Sequence, residues 1–345
     1  MTESAWQYDV DEQALYTLPT HDPLGVLTST LQVVEQGEHV WINADQLEPF
    51  CEQWLADKQR FQLTTPQWDT RYHFHDGSQR TVNWLLVLDA LNFCFWSDKD
   101  QPRWSIEYRG ERLNGYWAEA AALKRAVEEG IPLWDAEYLS TISPDVMASI
   151  FRGQQTIPLF EERVRNAREV GRVLLERYDG QFTHVIEQAG GSAVRLALLL
   201  ANEFSSFHDV ATYRRRPVCF FKRAQICVAD LHSAFAGKQW GTFTDLDKLT
   251  AFADYKLPQI LRHYKILEYT PALAGRIDNQ EPIAAGSEEE IEIRAATIWA
   301  CELLRQAMQR RGQQMTTAEL DQRLWLASQH TTEMRPYHRT RTIFY

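Results

Sequence analysis

Long apolar runs are scarce in this chain, and no charge block, low-complexity tract or Pro/Gly/Ser-rich linker interrupts it. The single near-continuous apolar stretch, Val82 to Asp98, holds about a dozen apolar residues, and a bilayer span needs about 20, so no membrane helix is expected. The five cysteines, Cys51, Cys94, Cys219, Cys227 and Cys301, are scattered, odd in number and in no metal-ligand spacing. That pattern excludes a disulfide framework and a structural metal, and it points to a reducing, cytoplasmic setting. The opening Met1-Thr2-Glu3-Ser4 lacks the basic and then apolar order of a secretory signal. Basic residues are outnumbered, 36 Lys and Arg against 47 Asp and Glu. Proteins that grip polymeric nucleic acid present a basic face and gain affinity by releasing counterions, so such a partner is not expected. Gly-rich phosphate loops, a G-x-S-x-G elbow and a G-x-G-x-x-G fingerprint are all missing, and no cofactor is expected.

Aromatic residues, in contrast, make up 12% of the 345 positions and include 12 Trp. That is ample for a large core and for a pocket that stacks a planar ligand. The run from Val82 to Asp98 reads as a buried helix, yet it carries Asn83, Asp89 and Asn92. Polar groups there must be satisfied, because each unpaired one costs a few kcal/mol, about 1–3 from mutational data. They either tie neighbouring loops together or line a pocket. Further helices are expected at 43–61, 116–129, 144–152, 158–178, 181–188, 192–203, 218–235, 245–253, 256–267, 288–311 and 316–328. A polar loop covers 62–81, and the strands flanking Arg109-Gly110 suggest a small hairpin. The fold class is mainly α with minor β additions.

Three constellations could carry chemistry. In Phe221 to Leu231, Lys222 and Arg223 open a helix, where two cations and free backbone N–H groups can meet a phosphate. On that helix Lys222, Gln225 and Ile226 share a face, with Cys227 and Asp230 on a neighbouring one; structural pairing of Lys222 and Asp230 is the alternative. In Gly241 to Arg262, two short helices about a turn would make a helix–hairpin–helix shape. Asp254 would then open the second helix, capped by the dipole and held at a low pKa, with Phe252 and Tyr255 offering aromatic faces beside it. Simple N-capping would also explain an Asp there. The third set is scattered: His73 and His75 in the early loop and Asp321 in the last helix. His-x-His can bind a metal, but the third and fourth ligands it needs are not suggested nearby.

Taken in order, Val82-Asn83-Trp84, Leu88-Asp89-Ala90-Leu91-Asn92-Phe93, Gly115-Tyr116-Trp117, Glu128-Glu129-Gly130-Ile131-Pro132, Phe221-Lys222-Arg223-Ala224-Gln225-Ile226, Phe252-Ala253-Asp254-Tyr255 and Glu290-Ile291-Glu292-Ile293-Arg294 resemble the queuosine salvage proteins, which are queuosine 5′-phosphate N-glycosylases/hydrolases. The resemblance covers residues 45–345, and it implies one glycosylase domain there behind an N-terminal extension, 1–44. It also implies a helical fold similar to helix–hairpin–helix DNA glycosylases and hydrolysis of the C–N glycosidic bond to release queuine. Residue by residue, it places the cation-stabilising Asp on Asp254 and the ring-recognising Phe on Phe252. The loop His falls on His73, with His75 as the alternative, and the last-helix carboxylate falls on Asp321. Positions that are Tyr and Asp in some relatives are Gln322 and Leu326 here. Lys222 and Arg223 are then candidates for the 5′-phosphate, with Tyr255 and Asp230 as further substrate-binding residues. Two rival readings share these features: a base-excision glycosylase on DNA or tRNA, and a non-catalytic queuine- or nucleotide-binding protein.

Overall fold

A computed structural model describes residues 16–57, 61 and 68–345. Among them are fourteen α-helices and three two-stranded antiparallel ribbons, a mainly α architecture. In chain order the helices are α1 (Val26–Gln36), α2 (Leu47–Ala56), α3 (Gln79–Leu91), α4 (Gly115–Glu128), α5 (Ala136–Ser140), α6 (Pro144–Ile150), α7 (Phe160–Tyr178), α8 (Phe182–Ala189) and α9 (Ala193–Glu203). There follow α10 (Lys222–Ala234), α11 (Lys256–His263), α12 (Pro271–Asp278), α13 (Glu288–Arg310) and α14 (Thr317–His330). The strands are β1 (Val40–Ile42), β2 (Ser105–Tyr108), β3 (Glu111–Asn114), β4 (Val210–Tyr213), β5 (Arg216–Cys219) and β6 (Leu267–Tyr269). They pair β1 with β6, β2 with β3 and β4 with β5. No helix among the described residues is long and apolar enough to cross a membrane.

Two helices organise the core. The long α13 is buried over most of its length and packs against α1, α2, β1, α11 and α14. Ser287 caps it with a bond from Glu290 N at 3.3 Å, and Glu288, Glu289 and Glu290 sit in its first turn, where the helix dipole favours negative charge. The buried apolar run is α3, which packs against α7, α8 and α10. It stops at Leu91 rather than continuing to Asp98, because a buried cation intercepts its end. The Arg163 guanidinium donates to the carbonyls of Leu91, Phe93 and Cys94, and Cys94 turns to φ +44°. Within the segment expected as an N-terminal extension, α1 packs on α13 and β1 completes a ribbon with β6. The Glu292 carboxylate holds that junction by accepting from the backbone N–H groups of Glu38, His39 and Val40 at 2.7–3.1 Å.

The hairpin at Arg109-Gly110 forms as expected, with both residues at positive φ, 50° and 83°, in a turn that joins β2 to β3. Several expected helices are cut back: 43–61 is α-helical only from Leu47, and 256–267 stops at His263 before β6. The stretch 218–235 begins as β5, and α10 starts only at Lys222. Phe221 sits at φ +50°, and the Lys222 N–H donates to Asp209 Oδ2 at 3.1 Å, so the chain is turned before helical pairing can begin. The stretch 245–253 forms only a 3-10 turn at Leu246–Lys248 and then runs extended. Of the two helices expected about that turn, only α11 forms.

Candidate active site

The extended run from Leu249 to Asp254 is held open by side chains from three different helices. Gln225 of α10 accepts from Thr250 N at 2.8 Å and donates to Thr250 Oγ1 at 3.1 Å. Asp321 of α14 accepts from Phe252 N at 2.7 Å, and Arg294 of α13 donates to Ala253 O at 3.2 Å. The bonds to Thr250 N and Phe252 N take donors that a helix over 245–253 would have paired internally, and they favour the extended path instead. At the end of the run, Asp254 Oδ1 accepts from Lys256 N at 2.7 Å and Leu257 N at 2.9 Å, capping α11 from just outside it.

Asp254 therefore caps as expected, but its pKa moves the other way. Burial raises it; the nearby Lys222 ammonium and the two amide bonds offset only part of that penalty. The sequence shows the cap but not the depth at which it sits.

Asp254 lines a cavity of about 540 Å³, inside the range of about 300–1,000 Å³ usual for small-molecule sites. Lys222, Ile226, Ala229, Asp230 and Ser233 form one stripe of α10 along its wall. Phe252 borders it from the extended run, Tyr255 from the N-cap of α11 and Asp321 from α14, and Trp325 with Tyr116 and Trp117 forms an aromatic cluster at centroid spacings of 5.4–5.9 Å. The site collects three carboxyls, Asp230, Asp254 and Asp321, around the Lys222 side chain. Burial lowers the Lys222 pKa, and Asp254 and Asp321 work against that shift. Burial pushes Asp321 up to about 8, although its bond from Phe252 N favours the anion.

The structure separates the two histidines. His73 is buried beside the cavity, its ring tilted against Trp68 at 4.0 Å. Its Nδ1–H donates to Asp69 O at 2.7 Å, a carbonyl that can only accept, so Nε2 must accept from the Tyr116 hydroxyl at 2.8 Å. Burial brings the imidazole down to about 4, so this neutral tautomer is the form present at neutral pH. His75 instead bonds Ala234 O at 2.9 Å and leans on Phe235, outside the cavity lining.

Arg223 also parts from its expected place. Its guanidinium points to the far side of α10 and donates to Asp89 O at 2.9 Å, Ala90 O at 2.5 Å and Ser206 O. It closes the last turn of α3 and does not line the cavity, so Lys222 alone of that pair faces a ligand. Gln225 is structural, as its bonds to Thr250 show. The three polar residues singled out in and just after α3 divide three ways. Asn83 ties loops, bonding Trp134 O, Gly180 O and Phe182 N. Asn92 reaches the cavity, and Asp89 is buried with no N–H or O–H group donating to its carboxylate among the described residues. Sequence reasoning did not single out Tyr116, Trp117, Trp325, Arg103, Lys256 or Tyr337 as lining residues. The Gly115-Tyr116-Trp117 block was the one signal available for the aromatic wall. Gln322 and Leu326 do border the cavity.

Comparisons with known proteins identify the family. The model of the queuosine salvage protein family matches residues 72–345. A queuosine 5′-phosphate N-glycosylase/hydrolase of Sphaerobacter thermophilus is 52% identical over 325 residues, 94% of this chain and 98% of that protein. Proteins of the same name from Mus musculus, 36% identical over 81% of this chain and 87% of the relative, and from Dictyostelium discoideum, 35% identical over 93% and 98%, extend the likeness to eukaryotes. With most of its length matched and its buried carboxylates, lysine and aromatic wall all drawn from that matched region, the chain belongs to the queuosine salvage protein family.

Proposed function

We propose that this protein hydrolyses the N-glycosidic bond of queuosine 5′-phosphate and releases queuine. The observation that carries the reading is the placement of Asp254, a carboxylate anchored by two backbone N–H groups and bordering an aromatic cavity beside Lys222. Cleaving the bond builds positive charge on the sugar, and an anion fixed beside that charge stabilises the transition state more than the ground state. Each 1.36 kcal/mol of that difference is about tenfold in rate. Because Asp254 is already held by the start of α11, it pays little to reorganise as the charge appears. Its ionised form is favoured by Lys222, and the same carboxylate can take a proton from the attacking water.

Queuine lacks the ring nitrogen at which guanine is ordinarily protonated on departure, so cation stabilisation carries a larger share of the barrier. The planar base suits the Phe252 face and the Tyr116, Trp117 and Trp325 cluster, and stacking contributes about 1–3 kcal/mol per base. The charged amine of the queuine side chain suits Asp321, whose carboxyl would ionise on pairing with it. The 5′-phosphate is assigned to Lys222, with Lys256 and Arg103 as further cations on the cavity wall. The net charge of −11 favours a mononucleotide over a polymer.

Incubating the purified protein with queuosine 5′-phosphate and separating the products tests the reading. Free queuine and ribose 5-phosphate in equal amounts are expected. Bound but uncleaved nucleotide would make the protein a carrier, and release of bases only from DNA or tRNA would make it a polymer glycosylase.

A further inference from the structure

The leaving base needs a proton as well as a stabilised sugar, and no role given so far supplies one. A second pair of acidic groups stands beside the cavity, where α3 crosses α10. Asp89 is fully buried, and no N–H or O–H group donates to its carboxylate among the described residues; its polar neighbour is the Cys227 thiol, a weak donor. Asp89 lies close enough to Asp230 for the two charges to repel. Asp230 lines the cavity about two helical turns beyond Lys222 on the same stripe. The Asp89 site is costly if that carboxyl is only structural: a buried acceptor without a strong donor loses about 1–3 kcal/mol, and a second carboxyl close by adds repulsion.

We propose that Asp230, backed by the buried Asp89, is the general acid that protonates the leaving base. This rests on the glycosidase reading above. As the bond from the base nitrogen to the sugar carbon breaks, its electron pair goes to the base, which takes the proton from the Asp230 carboxyl. Water adds to the sugar carbon and gives its own proton to the Asp254 carboxylate, and from there to solvent. Asp230 regains a proton from solvent before the next turnover.

The surroundings agree with a carboxyl that keeps its proton near neutrality. Burial brings Asp230 up to about 7, with Lys222 pulling against it, and burial and the Asp230 charge together hold Asp89 well above the ordinary carboxyl range. The other titratable and charged groups facing the pair are Arg223, Cys227 and His232 on α10 and Tyr116 on α4, with Glu119 of α4 paired to Arg163 behind them. The Cys227 thiol interacts with Asp89 and is itself held protonated by burial. Two interacting carboxyls titrate as a unit, so the rate reports the pair.

The test compares two substrates. Queuosine 5′-phosphate has a leaving group that needs a proton, whereas a 4-nitrophenyl β-ribofuranoside 5-phosphate releases an anion that does not. For Asp230→Asn, kcat on queuosine 5′-phosphate is expected to fall by about 10²–10⁴-fold, the usual range for lost acid catalysis, and to stay within about threefold of wild type on the nitrophenyl substrate. The alkaline limb of the wild-type profile, a loss of rate above about pH 7, should vanish in that variant. Asp89→Asn removes the neighbouring charge, keeps Asp230, and should shift the same limb to lower pH. An equal loss on both substrates overturns the proposal. So does a raised KM with kcat and the pH profile unchanged, which would make Asp230 a binding group for the substrate amine. Wild-type protein that cleaves neither substrate would sink the glycosidase reading itself, whereas wild-type cleavage of both with no selective loss in Asp230→Asn would sink this proposal alone.

Discussion

Asp321 in the last long helix accepts a hydrogen bond from the backbone N–H of Phe252 at 2.7 Å, across 69 positions of sequence. That bond fixes α14 to the extended run two residues before Asp254. One carboxylate thus borders the cavity and also helps set the position of the residue assigned to the chemistry.

Replacing Asp254 with Asn should leave the fold intact, because an amide oxygen can still accept from Lys256 and Leu257 N–H. The charge opposite the sugar is lost, so single-turnover release of queuine should fall by at least about 10³-fold, equivalent to about 4 kcal/mol. Rapid-quench measurement at saturating substrate, with circular dichroism as the check on folding, reads both halves. Near-normal release would remove Asp254 from the mechanism.

Lys222 and Arg223 are neighbours that should behave in opposite ways. Lys222→Gln keeps the fold and should erase the preference for the 5′-phosphate over the bare nucleoside, seen as kcat/KM ratios converging toward one. Arg223→Gln strips donors from Asp89, Ala90 and Ser206 carbonyls, each costing about 1–3 kcal/mol when buried and unpaired, so this variant should unfold at lower denaturant or not accumulate. A folded, stable Arg223→Gln protein with altered phosphate dependence would contradict the placement of that side chain.

The contribution of Asp321 to stability should fall as pH rises from about 4 to about 8. Asp321 keeps its proton in the folded state up to about 8, whereas an unfolded Asp releases it near 3.9, so across that window the unfolded chain binds fewer protons and the native state loses ground. Asp321→Asn retains an acceptor for Phe252 N–H but has no proton to lose, and its melting temperature should therefore decline less over the same window. Calorimetric scans at several pH values measure the difference. Parallel curves for variant and wild type would show that Asp321 is ionised in the folded protein.

Gly171 lies where α7 passes the backbone of α5. A methyl group built there would come to 2.5 Å from Ala136 O and 2.8 Å from the Leu139 carbonyl carbon, and nearer still to Ser140 N. Those atoms are main chain and cannot rotate aside. Gly171→Ala should cost at least about 1–3 kcal/mol in chemical denaturation, against a small gain expected at an open helical site. An unchanged midpoint would mean that the two helices can separate without penalty.

The helical class was legible in the sequence because apolar spacing along each segment reports which face is buried, and that is a local property. The spans of α4, α9, α13 and α14 come within two residues of the expected ones for this reason. Local signals also marked the Arg109-Gly110 hairpin and the capping role of Asp254. The residues that resemble the salvage family brought Phe252, Asp254, His73 and Asp321 to attention before any contact was known, and all four border one cavity.

Tertiary structure decided what local signals cannot carry. Gln225 and Asp321, arriving from other helices, take backbone donors of 245–253 and favour its extended path. Whether Asp254 is an easy or a reluctant anion depended on how deeply its cap is buried, and burial reversed the pKa direction that capping alone implied. Between Lys222 and Arg223, a turn of about 100° along one helix sends one cation into the cavity and the other onto three carbonyls. A sequence records that two cations are adjacent, but only packing determines which face of the helix meets empty space.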